Sequence, residues 1–224
     1  MKAAIIYVSS NQEMPAFEER IIKNLLENCG GIPIIAVTQK PVGFGTNIVV
    51  GEDVGVSGFN MFRQVLIGMR HTKADYIISA EADTVYPPDY FKFVPEKFDV
   101  CYRNSNLYVM GQHRKYFYKK EEGATHAQIV GRDFYTETLE RLFLGAPEWS
   151  TDERNFPKER IGKNDVFDAS EIEYWVNENP VVQIKTSQSM RNYTHSDRIA
   201  RHELPYWGSG ADFRKKYYEI GVVH

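Results

Sequence analysis

Apolar and polar positions alternate in blocks along the first 80 residues. Residues 3–8 form a short apolar run closed by Ser9, Ser10, Asn11 and Gln12, the pattern of a central strand buried on both faces. Over 17–28, Phe17, Ile21, Ile22, Leu25 and Leu26 recur at helical spacing, and Gly30 and Gly31 follow as stop signals. Residues 32–38 repeat the strand pattern and 47–50 give a third short strand. Phe59, Phe62, Val65, Leu66 and Met69 then lie on one helical face across 59–71. A fourth strand is predicted over 75–80. Short strands joined by helical crossovers imply an open parallel sheet with right-handed connections.

The pattern changes after residue 99. Residues 100–110 and 116–119 alternate without an intervening helix, so antiparallel or mixed pairing is expected there. Helices are predicted over 132–144 and 169–179, a strand over 181–186, and a short helix near 212–218. Residues 145–163 and the tail from Ser187 onward are polar. With no internal repeat and no low-complexity linker, the expectation is one domain spanning 1–224, with functional halves of about 1–95 and about 96–224.

A chain of 224 residues, 42% hydrophobic and 25% charged, is long enough for a real core. Its 27 Lys and Arg against 30 Asp and Glu argue against a uniformly basic nucleic-acid binder. The charge is uneven: from residue 185 onward basic residues outnumber acidic ones, a composition suited to phosphate contacts. Residues 112–120 interleave basic and aromatic side chains, which suits either stacking on nucleic acid or a solvated edge hairpin. Cys29 and Cys101 are too few for a disulfide framework and fit a reducing compartment. The first apolar run is too short for a signal sequence, and none approaches the roughly 18 apolar residues of a membrane span. A soluble, cytoplasmic protein is the expectation.

The candidate chemistry centres on Glu81 and Asp83, two apart at the carboxyl end of the fourth strand. Ligands bind at that edge of open α/β sheets, and in extended backbone residues two apart face the same way. Such a pair suits Mg2+ or Mn2+, which would neutralise charge developing on a leaving nucleoside diphosphate. The same residues also suit a turn cap and a helix start near Pro87 and Pro88. Ser9, Ser10 and Asp53 fall at the carboxyl ends of the first and third strands, where a nucleoside is expected. Arg63 suits either phosphate contact or a helix surface.

The segment Ile77-Ile-Ser-Ala-Glu-Ala-Asp-Thr-Val-Tyr-Pro-Pro-Asp-Tyr-Phe resembles the Asp-x-Asp region of GT-A glycosyltransferases, in particular family 2-like enzymes. The block from Gly58 to Met69 is similar to the family's helix before the acidic pair, and Gly51-Glu-Asp-Val-Gly to its nucleotide-side loop. The resemblance covers about residues 3–95. It implies a GT-A-like nucleotide-diphospho-sugar transferase fold, with a mostly parallel central sheet flanked by helices and a smaller mixed sheet. It also implies a metal-dependent glycosyltransferase using Mn2+ or Mg2+ and a nucleoside-diphosphate sugar, foremost a UDP-sugar. The acceptor would be a hydroxyl on a glycan or on nucleic acid, such as a modified DNA base.

Glu81 stands where the family has its first Asp, so Asp83 is the firmer metal ligand and Glu81 contacts ribose or reaches the metal through water. The stretch from Asp168 to Val176 looks like the family's acidic segment facing the acceptor, which makes Glu171 the candidate general base, ahead of Glu173 and Asp165. An in-line base there implies inversion at the anomeric carbon. The same acidic residues also suit a helix start. By analogy with the family's late histidine, His195 is the candidate further metal ligand, with His202 its competitor. His126 suits either the cleft or a turn. Two rivals stand beside this reading. A nucleotidyltransferase should carry a Gly-rich loop with Lys or Arg after the first strand, which Ser9-Ser-Asn-Gln-Glu-Met does not. A non-catalytic binding module would not need Asp83 and Glu171 together.

Overall fold

The computed structural model describes residues 1–155, 165–190 and 195–219. The first half runs β1 (Ala3–Ser9), α1 (Pro15–Asn28), β2 (Ile34–Thr38), β3 (Thr46–Val49), α2 (Gly58–Arg70) and β4 (Tyr76–Glu81). All four strands are parallel, with β1 between β2 and β4. The second half supplies β5 (Thr84–Val85), β6 (Cys101–Asn104), β7 (Leu107–Gly111), β8 (Tyr118–Lys119), β9 (Gln128–Gly131) and α3 (Arg132–Leu142). It continues through β10 (Ile172–Trp175) and β11 (Val181–Lys185) to α4 (Gly210–Tyr217). The seven-stranded central sheet has the order β10-β6-β9-β4-β1-β2-β3, in which only β9 runs antiparallel to its neighbours. A smaller mixed sheet has the order β5-β11-β7-β8.

The period-two alternation of β1 explains the layers. Ala4, Ile6 and Val8 pack on one side with Phe62 and Leu66 of α2 and Leu139 of α3. Ile5 and Tyr7 face the other side, where Leu25 of α1 joins Tyr86 and Tyr90. A third cluster packs Phe17 and Ile21 of α1 and Phe213 of α4 on the smaller sheet, around Val182 and Ile184. Helix α2 lies close on β1 because Gly68 has no side chain: a Cβ there would stand 2.9 Å from Ile6 Cγ2. Among the described residues no helix is long and apolar enough to cross a membrane.

The fold class is the expected one, a mostly parallel central sheet with helices and a smaller mixed sheet. Two local expectations are corrected. The helix predicted over 169–179 is a single 3-10 turn at Ala169–Glu171 followed by strand β10, paired in parallel with β6. There Trp175 stacks on Phe93 at 4.3 Å and on Tyr90 at 5.8 Å between ring centroids, a packing that an isolated helical period does not foresee. The helix expected after Pro88 is only a 3-10 turn, Tyr90–Lys92, because Tyr86, Tyr90 and Phe91 are drawn into the core. Part of the polar stretch 145–163 and Arg191 of the basic tail lie outside the described residues.

Candidate active site

The carboxyl end of β4 meets the smaller sheet directly. After Glu81 the chain turns at Ala82 and Asp83 and enters β5, which pairs antiparallel with β11, Gln183 opposite Thr84. Ile184 N–H donates to the Asp83 carbonyl at 2.7 Å. Gln183 Nε2 donates to Asp83 Oδ2 at 3.0 Å, and Thr84 Oγ1 donates to Oδ1 at 2.9 Å. The Asp83 carboxylate is therefore fixed by two donors, and each oxygen keeps a further lone pair. Glu81 lies half-buried beside it, and its carboxylate accepts no hydrogen bond from the described residues. Burial, and then the Asp83 charge, push the Glu81 carboxyl up to about 8.

Two cavities meet at this turn. The first, of about 90 Å³, is lined by Ser9 and Ser10 at the end of β1, by Gln39 after β2, and by Asn60 and Gln64 of α2. Gln64 Nε2 donates to the Ser9 and Val37 carbonyls at 3.1 and 2.9 Å, which ties α2 to the strand ends. Glu13 also lines this cavity. Burial pushes its carboxyl up to about 7, against a hydrogen bond donated by Thr186 Oγ1 at 2.6 Å. No lysine or arginine lines the first cavity among the described residues.

The second cavity, of about 240 Å³, carries charges of both signs, with Glu81, Asp83, Glu122 and Asp165 among its lining residues. Arg103, Lys120 and Lys185 line it with His126 and Gln183. Arg103 forks onto Asp165, its two terminal nitrogens donating to Oδ2 and Oδ1 at 2.7 and 2.6 Å. Lys120 and Lys185 make no ion pair with the described residues. Burial, and then the like charge of Lys185, lower the Lys120 ammonium to about 8. His126 is 4% exposed and its pKa is driven well down by burial and then by Lys120, Lys185 and Arg103, so the ring is neutral. His126 Nε2, Gln183 Oε1 and Arg103 Nε are buried polar atoms with no hydrogen-bond partner among the described residues. Such orphans are uncommon in folded proteins and collect where a ligand or water completes the site.

The structure brings together some of the residues singled out in the sequence and separates others. Glu81 and Asp83 line both cavities, Ser9 and Ser10 line the first, and His126, Asp165 and His195 line the second. Among the described residues no three His, Cys, Asp or Glu side chains converge closely enough to hold an ion by themselves. Neither cavity is lined by Asp53, Arg63, Glu171, Glu173 or His202. Asp53 is exposed on a 3-10 turn, Glu52–Val54. Arg63 lies over the Phe143 ring at 3.8 Å and donates to the Pro147 carbonyl at 2.8 Å. Glu171 is held by a capping box, Oε2 accepting from Asp168 N–H at 2.8 Å. Glu173 pairs with Lys97 at 2.6 Å, and His202 rests against the Tyr116 ring.

Residues not singled out for the site also enter it. Gln183 lies in β11 and Gln39 directly after β2, strands whose edge partners only the fold assigns, and Glu13 lies in the connection between β1 and α1. Lys120 closes the basic stretch 112–120 and Lys185 opens the basic tail, and only the fold brings both to one cavity.

Comparison with family models and with curated protein sequences gives no match. Among its solved structural neighbours are GT-A-type glycosyltransferases. TarS residues 1–349 of S. aureus is similar with a TM-score of 0.49 and 10% identity, over 82% of this chain and 60% of that one. The glycosyltransferase GlyE of Streptococcus pneumoniae has a TM-score of 0.49 and 9% identity, over 78% of this chain and 45% of its own. CMP:2-keto-3-deoxy-manno-octonic acid synthetase complexed with CTP has a TM-score of 0.43 and 15% identity, over 79% and 90%. The chain thus spans less than two thirds of TarS and GlyE.

The raised Glu81 carboxyl has a measurable consequence. Between about 4.5 and about 8 the folded protein holds a proton that the unfolded chain has released, so this group costs stability as pH rises through that window. Glu13 acts in the same sense up to about 7. Glu81→Gln removes the Glu81 share. In metal-free buffer its melting temperature should exceed the parent's at pH 8, and the gap should close toward pH 5. A gap that does not change with pH would show that ionisation of Glu81 is not disfavoured in the fold.

Proposed function

We propose that the protein is a metal-dependent glycosyltransferase that moves a sugar from a nucleoside-diphosphate donor, foremost a UDP-sugar, to an acceptor hydroxyl. The observation that carries this reading is the acidic pair Glu81 and Asp83 at the junction of two cavities on the carboxyl edge of the sheet. The first cavity offers uncharged polar groups suited to a nucleoside: the hydroxyls of Ser9 and Ser10 and the amide of Gln39. The second offers room and hydrogen-bonding groups for a sugar and its acceptor.

Two adjacent carboxylates, one with free lone pairs and one with no donor of its own, fit a hard divalent ion. Mg2+ and Mn2+ are commonly held by one or two carboxylates, with substrate phosphates filling other positions. When bound by Asp83 and Glu81, such an ion neutralises charge on the departing diphosphate. The chain's own residues do the rest. Gln183 and Thr84 orient Asp83, and Ser9 and Gln39 position the nucleoside. A base must lie within reach of the acceptor proton. Glu171, committed to its cap, does not line the cavities. Asp165 is committed to Arg103, which leaves Glu122, exposed at the second cavity, as the carboxylate placed to take the proton.

A thermal-shift panel of nucleotides and nucleotide sugars with Mn2+ or Mg2+ tests the reading. At a hundredfold excess over Kd a true donor adds about 2.7 kcal/mol, a rise of roughly 5–10 °C for a chain of this size. The product decides the reaction class: glycosyl transfer releases a nucleoside diphosphate, whereas release of pyrophosphate from a nucleoside triphosphate would replace this reading with nucleotidyl transfer.

A further inference from the structure

Arg103, Lys120 and Lys185 line the second cavity against Glu81, Asp83, Glu122 and Asp165. Once Asp165 is set against Arg103 and a divalent ion against Glu81 and Asp83, the two lysines exceed Glu122 by one positive charge. Arg103 is neutralised by the fork onto Asp165, whereas Lys120 and Lys185 make no ion pair with a described residue and feel the Glu81 charge only across the cavity, Lys120 those of Asp83 and Glu122 as well. The two ammonium groups share the cavity, and the like charge of Lys185 adds to burial in lowering the Lys120 ammonium. Bringing like charges together costs free energy in the empty fold, and a bound anion removes that cost. Beside them stand two side chains that are nearly fully buried, His126 and Gln183, each 4% exposed and each with a polar atom lacking a partner. The neutral His126 ring can donate one hydrogen bond, and the Gln183 carbonyl can accept one from a hydroxyl. The two lysines, the imidazole and the amide that line this cavity together match an acidic sugar: anionic group to the lysines, ring hydroxyls to the rest.

We propose that the second cavity contains a subsite, centred on Lys120 and Lys185, for a carboxylate or phosphate carried by the transferred sugar or by the acceptor sugar. This inference rests on the donor reading above and names its substrate class. The diphosphate itself belongs at the junction, where Asp83 and Glu81 lie. The first cavity takes the nucleoside, so the second faces what lies beyond the β-phosphate: the glycosyl unit and its acceptor.

Binding of UDP, UDP-glucose and UDP-glucuronic acid with Mn2+, measured by isothermal titration, tests the subsite on the donor side. Ligand-observed NMR with free glucuronate, glucose 6-phosphate and glucose tests it without any nucleotide. The wild-type protein should bind UDP-glucuronic acid about tenfold more tightly than UDP-glucose, as expected for one charge-assisted contact. Lys120→Met and Lys185→Met should each abolish that preference while leaving UDP binding unchanged within about twofold, and Lys92→Met at an exposed site should change neither. Preference for the acidic monosaccharides alone, lost in the same variants, assigns the anion to the acceptor. Equal loss of UDP binding in the lysine variants would overturn the proposal, because the lysines would then serve the diphosphate. Equal binding of acidic and neutral ligands in the wild type would overturn it as well. If no nucleotide binds but the two acidic monosaccharides do, the donor reading fails and the subsite stands.

Discussion

Asp83→Asn should lower metal-dependent turnover of the donor by about a hundred- to a thousandfold while the protein stays folded, an effect of the size seen when a group that stabilises transition-state charge is removed. The structure separates two roles of this side chain. As an anion it belongs to the proposed metal site; as an acceptor it satisfies Gln183 Nε2 and Thr84 Oγ1. Asparagine keeps the shape and one acceptor oxygen and removes the charge. Asp83→Ala removes both, and it leaves the buried Gln183 amide without a partner at a further cost of about 1–3 kcal/mol. The alanine variant should thus melt lower than the asparagine variant, with both nearly inactive. Turnover with Mn2+ or Mg2+ at the wild-type rate in Asp83→Asn would refute a metal-dependent role for the acidic pair.

The largest effect on stability is expected at Arg103 and Asp165. Arg103 is 5% exposed and forks onto Asp165 from a position 62 residues earlier in the chain. Burial alone would raise the Asp165 carboxyl, yet the Arg103 guanidinium holds it below the ordinary carboxylate range. Asp165→Ala leaves a buried, unpaired guanidinium and should cost about 3–5 kcal/mol, read as a fall in melting temperature of roughly 6–20 °C. Replacing both residues by leucine should cost much less than the two single changes together, because no unpaired charge then remains. The pH dependence has a fixed sign. The folded carboxyl is depressed, so its contribution is complete above the unfolded value of about 3.9 and is lost as pH falls through the folded value. Urea midpoints between pH 6 and pH 3 should therefore fall more steeply for the wild type than for Asp165→Ala. Parallel profiles would show that the pair contributes no net stability through this ionisation.

Much of the first half was legible because its signals are local. A buried strand announces itself as a continuous apolar run, and Phe59, Phe62, Val65, Leu66 and Met69 mark α2 by period alone. The second half was less so. Residues 169–179 carry acidic residues suited to a helix start, yet pairing with β6 and the stacking of Trp175 on Phe93 and Tyr90 make Ile172–Trp175 a strand. Tertiary context overrode a weak local preference there. Glu171 shows the same limit at the level of chemistry. Its sequence setting suited a base and a cap equally, and only the contact with Asp168 N–H assigns the cap. Arg63 likewise suited phosphate or surface until its place over Phe143 was fixed by the approach of the chain after α3.

By itself the sequence determined the alternation of strands and helices and the placing of Glu81 and Asp83 at a strand's carboxyl end, since run length, period and residue order are properties of neighbouring residues. What surrounds that pair was decided by the tertiary structure. Gln183 reaches Asp83 only because β11 pairs with β5, and Lys120 and Lys185 line one cavity only because β8 and β11 both join β7 in the smaller sheet. Such pairings are chosen by the packing of the whole sheet and by burial on its faces, and no local period encodes which distant strand will be the partner.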